Sequence, residues 1–148
     1  MYKKILLPTD GSKNAEMAVD HVFRFGSRSG AEIIILYVIE TPRFTGIRSA
    51  DKSELKKSLE SEGQKSFDRI TDRLNSLSSG EECEKQIKLN FQFKEGSAAD
   101  IILNTIDEEN IELVVMGTSG KRGFNRFLLG SVAENVVRSA PCPVLVVR

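Results

Sequence analysis

At 148 residues the chain is long enough for one domain with a sizeable core, and no Pro- or Ser-rich linker or low-complexity tract divides it, so a single domain over residues 1–148 is expected. Its 21 Lys and Arg balance 21 Asp and Glu, which removes the long-range field that draws proteins to nucleic acid or to an anionic membrane. The longest apolar run, Ile33 to Ile39, is far shorter than the roughly 18 residues of a membrane span, and the short run Ile5 to Leu7 behind the basic start is no secretory signal; a cytoplasmic protein is expected.

Lys4 to Thr9 (KILLPT) is a compact apolar run, as in a strand covered on both faces. Asp10-Gly11-Ser12 reads as a turn with Ser12 as N-cap. Ala15, Ala18, Val19, Val22 and Phe23 then form one helical stripe that Gly26 or Gly30 ends. Glu32 to Ile39 is a second buried strand, rich in β-branched residues. Glu40 to Ala50, with Pro42 and Gly46, has no period and reads as a mobile loop that would hang over a crevice as a lid.

Asp51 to Leu77 carries Leu55, Leu59, Phe67, Ile70, Leu74 and Leu77 along one narrow face, predicting a helix laid on a sheet and stopped by Ser78-Ser79-Gly80. Ile87 to Phe93 alternates apolar and polar residues, as in an edge strand with one wet face. Ser97-Ala98-Ala99-Asp100 resembles a capping box with Asp in place of Glu, opening a third helix through Ala98, Ile101, Ile102, Thr105 and Ile106. Leu113 to Met116 is a fourth strand, Ser131 with Glu134 three residues on opens a fourth helix, and Pro143 to Val147 is a fifth strand.

Strands and helices in strict alternation argue for an α/β fold: an open five-stranded parallel sheet with helices on both faces, in the order 3-2-1-4-5. The topological switch then falls between strands one and four, where such sheets bind ligands at the strands' carboxyl ends. Asp10 and Gly117 would face each other across that crevice.

The stretch Gly117 to Ser131 (GTSGKRGFNRFLLGS) combines glycines, basic residues and a helix start, the parts of a phosphate-binding loop. Gly120-Lys121 lacks the spacing and the Ser/Thr of a P-loop, and PTDGSKNAE after strand one lacks the GxGxxG of a dinucleotide fold. What stands there is Gly117-x2-Gly120-x9-Gly130-Ser131. That spacing, with the opening KKILLPTDGS and the closing PCPVLVV, resembles the ATP-binding members of the universal stress protein family, an adenine nucleotide alpha hydrolase-like, Rossmann-like fold, over essentially the whole chain.

The resemblance implies a nucleotide clamp for ATP. Pro8, Thr9 and Asp10 would stand at the end of strand one with the Asp10 carboxylate at the nucleoside, and the Val38 backbone would meet the adenine. Met116 and Gly117 would flank the ribose, while Gly120, Gly130, Ser131 and Val132 would hold the phosphates, with Mg²⁺ or Mn²⁺ riding on them. Plainer readings stand beside these: Asp10 suits a turn and Ser131 an N-cap. Lys121, Arg122 and Arg126 either neutralise phosphate or form a solvated face.

No carboxylate pair, His relay or metal-ligand cluster converges on the crevice, so a binding protein with at most slow hydrolysis is expected, acting in stress response. The alternatives are an interaction module that binds no nucleotide and a hydrolase of the same superfamily. Val144 to Val147 forms an apolar edge strand through which a homodimer is expected, as in family members. Neither Cys83 nor Cys142 belongs to a metal or redox motif, and His21 lies off its helix's apolar stripe, as a surface residue would.

Overall fold

In the computed structural model, which describes residues 1–40, 48–80, 86–118 and 129–148, strands and helices alternate along the chain. They are β1 (Lys4–Thr9), α1 (Lys13–Ser29), β2 (Glu32–Ile39), α2 (Ser49–Gly80), β3 (Lys88–Glu95), α3 (Ala98–Glu109), β4 (Leu113–Gly117), α4 (Ser131–Ser139) and β5 (Val144–Val147). The strands form one parallel sheet in the order β3-β2-β1-β4-β5, as the sequence predicts.

The unbroken apolar runs are explained by burial on both faces. Ile5, Leu7, Ile33, Ile35 and Val115 pack under α1 and α2, whereas Leu6, Ile34, Leu36, Val114 and Met116 pack under α3 and α4. Neighbours in sequence therefore serve opposite cores. The expected α1 stripe is buried in full, the Ser12 hydroxyl accepts from the Ala15 N–H at 3.3 Å, and Gly30 closes the helix in the left-handed region at φ 68°. Among the described residues no helix is long and apolar enough to cross a membrane.

Helix α2 departs from expectation at both ends. Ser49 and Ala50 already belong to it, while residues 41–47 of the predicted loop, with the lid expected of it, lie outside the described residues. Ser78 to Gly80 do not stop the helix but extend it, because the Ser78 and Ser79 hydroxyls donate back to the carbonyls of Leu74 (2.8 Å) and Asn75 (2.9 Å). Nor does the predicted stripe pack along its whole length: Leu55 is 39% exposed and Leu59 half-buried, and continuous burial begins at Gly63.

Gly63 marks where α2 meets the sheet. A Cβ there would stand 2.4 Å from Phe93 Cε1 and 2.9 Å from Tyr37 Cδ1. Alanine in place of a helical glycine ordinarily stabilises by about 1 kcal/mol. Here Gly63→Ala is expected to destabilise the protein by about 1–2 kcal/mol in urea unfolding, because the buried Tyr37 ring cannot yield. A rise in stability would mean that α2 lifts from the sheet without cost.

Strand β3 is the expected edge, but its faces are not divided as alternation suggests. Leu89, Phe91 and Phe93 remain 37%, 38% and 40% exposed, since the only ring α2 lays on them is Phe67, with centroids 4.9 Å from Phe91 and 4.7 Å from Phe93 among the described residues. The polar face is instead tied to α3. Lys94 Nζ donates to Thr105 Oγ1 (2.9 Å) and Glu108 Oε2 (2.7 Å), and Gln92 Nε2 donates to Glu109 Oε1 (3.2 Å). The Gln92 hydrogen bond, with help from Lys4, holds the Glu109 carboxyl below its usual range.

Candidate functional site

A proline in a central strand opens the crevice. Lys4 O accepts from Glu112 N on the β4 side and Lys3 O from Glu32 N on the β2 side, so the even-numbered peptide groups of β1 face β4. Pro8 falls on that side and has no N–H to give. Accordingly β1 stays paired with β2 as far as Thr9↔Tyr37, but its register with β4 ends at Leu6↔Val114. Between the parted carboxyl ends lies a cavity of about 620 Å³, the size of a small-molecule site, at the topological switch.

Every predicted site residue that is described lines this cavity. Pro8, Thr9 and Asp10 come from the end of β1, Val38 from β2, Met116 and Gly117 from β4, and Gly130, Ser131 and Val132 from the start of α4. Gly120, Lys121, Arg122 and Arg126 lie outside the described residues. Thr9 is only 6% exposed, and its hydroxyl accepts from Gly11 N (3.1 Å) and sits 3.3 Å from the buried Ser66 hydroxyl of α2. Its polar atom thus holds the turn.

Asp10 fills both roles considered for it. Its Oδ1 accepts from Ser12 N at 3.0 Å, which fixes the turn, and the half-buried residue also lines the cavity. Gly11 takes φ 75°, a conformation open to glycine, and Arg69 of α2 donates to its carbonyl at 3.2 Å while pairing with Glu16. The turn that carries Asp10 is therefore held from α1 and α2 together.

On the opposite wall the two ends of the glycine motif meet. Gly130 N donates to Thr118 O at 2.8 Å, and Thr118 N to Val147 O at 2.9 Å, so the start of α4 lies against the end of β4. Ser131, expected as N-cap, is instead the first helical residue. Gly130 is the cap, because its extended backbone (φ −64°, ψ 154°) already offers a carbonyl to Glu134 N at 2.8 Å. The expected box does not form; Glu134 pairs with Arg138 at 2.7 Å. A glycine cap has no side chain to spend on the helix N–H groups, and among the described residues no other side chain takes them. Those N–H groups and the exposed Ser131 hydroxyl border the cavity, an arrangement suited to phosphate.

The cavity's other end is apolar, and of its lining sequence reasoning named Val38 but not Leu36, Glu40, Ala98 or Ile102. Leu36 and Val38 of β2 face Ala98 and Ile102 of α3 across it, with Glu40 at the rim. The capping box expected at Ser97 does not form there either: its side chain makes no cap bond, and Ala98 N donates instead to Glu40 Oε1 at 2.8 Å. A cap 58 residues away leaves no local signal. Among the described residues no group of three His, Cys, Asp or Glu gathers as a metal site. Burial pushes the Cys142 thiol above its usual pKa, away from nucleophile chemistry, and His21 is exposed as expected.

The family model described as the universal stress protein family matches residues 1–148. The chain is 36% identical over 149 residues to universal stress protein MJ0531 of Methanocaldococcus jannaschii, covering 100% of this chain and 83% of that one. Universal stress protein MJ0577 of the same organism is 32% identical over 163 residues, covering 100% of this chain and 96% of the relative. The MJ0577 structure superposes with a TM-score of 0.82 at 33% identity, over 99% of this chain and 96% of that one. A universal stress family protein of Arabidopsis thaliana solved with AMP bound shares the fold, with a TM-score of 0.66 and 17% identity over 98% of this chain and 90% of its own.

Proposed function

Since the chain belongs to the universal stress protein family, we propose that it is an ATP-binding regulatory module of the stress response that holds nucleotide in the crevice between β1 and β4. The observation that carries this reading is the junction of Gly130 with Thr118, which sets helix N–H groups that no side chain caps among the described residues across the cavity from Asp10. The Asp10 carboxylate accepts from ribose hydroxyls, the Val38 backbone meets the adenine, and Met116 and Gly117 flank the sugar. Gly130, Ser131 and Val132 hold the phosphates, with Gly120 completing the motif and a Mg²⁺ or Mn²⁺ ion riding on the phosphate oxygens. A neighbour of the same fold that holds AMP supports an adenine nucleotide as ligand.

The proposal is of binding, with at most slow turnover. The carboxylates that line the cavity among the described residues, Asp10 and Glu40, each accept a hydrogen bond from a backbone N–H and serve the frame of the site. ATP then acts by changing conformation or partner choice, in a cytoplasmic homodimer joined through β5.

The test is mass analysis of the small molecule released on denaturing protein purified without added nucleotide, followed by titration with ATP. Asp10→Ala and Gly130→Ala are each expected to weaken ATP by about tenfold or more, through a lost charge-assisted hydrogen bond and a Cβ against the phosphate. Equal ATP retention by the wild type and both variants would remove the clamp.

A further inference from the structure

The two ends of the cavity differ in chemistry, and among the described residues the apolar end carries one charged group, Glu40. Helix N–H groups and glycines at the α4 end suit phosphate, so a nucleotide lies with its base between Val38 of β2 and Ala98 and Ile102 of α3. The reverse orientation would set phosphates beside the Glu40 carboxylate, where like charges repel. Glu40 does not swing as an ordinary surface glutamate does. Its Oε1 is held by Ala98 N at 2.8 Å, where the first turn of α3 favours an anion.

We infer that Glu40 is the residue that selects the 6-amino purine, its second carboxylate oxygen accepting from the amino group of adenine. This deepens the nucleotide reading above and rests on it. An ionised carboxylate only accepts hydrogen bonds. It therefore welcomes the amino group of adenine and rejects the 6-oxo oxygen of hypoxanthine or guanine, which is itself an acceptor. Selection against the oxo base comes from repulsion as well as from the lost bond.

The experiment is calorimetric titration of full-length wild type, Glu40→Ala and Glu40→Gln with ATP and with ITP, which differ at the 6-position of the base. The wild type is expected to prefer ATP by about tenfold or more, the worth of one hydrogen bond to a charged group at a part-exposed site. In Glu40→Ala the preference narrows to within about threefold. Glu40→Gln has one oxygen, which Ala98 N–H occupies, and so turns its amide donor to the base; the preference then reverses toward ITP. ADP, tested beside ATP in each variant, keeps the same ratio, because the phosphate end is untouched.

A wild-type ATP to ITP ratio carried unchanged into both variants would overturn the role of Glu40 and leave the nucleotide reading standing. Failure of the wild type to bind either nucleotide would overturn both. Thermal midpoints of the variants separate loss of the α3 cap from loss of recognition, since an unfolded protein changes the ATP and ITP affinities alike.

Discussion

Gly117→Ala is expected to lower the thermal midpoint by roughly 5–10 °C, the equivalent of about 2–3 kcal/mol for a domain of this size. A Cβ at this position would stand 2.8 Å from the carbonyl carbon of Asn14, 2.9 Å from its oxygen and 3.0 Å from Ala15 N. All three are backbone atoms of the first turn of α1, and they cannot rotate out of the way as a side-chain tip can. That turn is pinned by the Ser12 cap and by the Asp10–Ser12 hydrogen bond, so displacing it disturbs the strand end that presents Asp10.

Stability and nucleotide affinity should therefore fall together in Gly117→Ala, measured by thermal unfolding and by ATP titration of the folded fraction. This separates Gly117 from Gly130, whose alanine variant is expected to lose ATP while its midpoint moves little. An unchanged midpoint for Gly117→Ala would show that α1 slides freely over the end of β4, against the close packing of the two elements.

Val146→Asp is expected to turn a dimer into a monomer of 16.4 kDa in sedimentation analysis. In the observed order β5 is the edge of the sheet next to β4, so one row of its backbone groups has no strand beside it among the described residues. Val144, Leu145 and Val146 are only half-buried, and Val137 on the neighbouring helix α4 is 47% exposed. The proposed antiparallel contact between two copies of β5 would satisfy both edges and cover these side chains.

An aspartate in that contact brings an unpaired charge from each copy into a desolvated edge. Breaking the charge balance of a buried site in this way costs about 3 kcal/mol or more, a hundredfold or greater loss in association. Unchanged far-ultraviolet dichroism would show that the protomer still folds. A variant that stays dimeric, or a wild type that is monomeric, would refute the β5 interface.

The boundaries that sequence reasoning placed well are those where one physical signal dominates. The KILLPT and EIIILYVI runs became β1 and β2 at the expected residues because continuous apolar character has one good solution, burial on both faces of a central strand. The α1 stripe was equally plain, since its apolar residues recur at helical spacing and all face one core. Even the place where the crevice opens was written locally, in the missing N–H of Pro8, although its meaning depends on which neighbour that peptide faces.

Where two local signals competed, or where a partner came from far along the chain, tertiary contacts decided. Glycine and serine at 130 and 131 are both acceptable caps, and the Gly130–Thr118 hydrogen bond set the boundary at the glycine. Ser97 takes the expected N-cap position but its side chain makes no cap bond, and the Ala98 N–H is taken by Glu40, brought there from the end of β2. The narrow face of α2 promised contact along its whole length. A helix crossing a twisted sheet touches it over part of that length, so burial begins at Gly63.

By itself the sequence determined the family, the alternation of elements, the sheet order and the residues from the end of β4 and the start of α4 that line the cavity, because these rest on local periodicity and on glycines spaced within one stretch. Only the tertiary structure decided which carboxylate stands at the apolar end, which hydroxyl and guanidinium hold the Asp10 turn, and why Gly117 has no room for a Cβ. Each of those depends on atoms tens of residues apart in the chain that meet only when both faces of the sheet are covered.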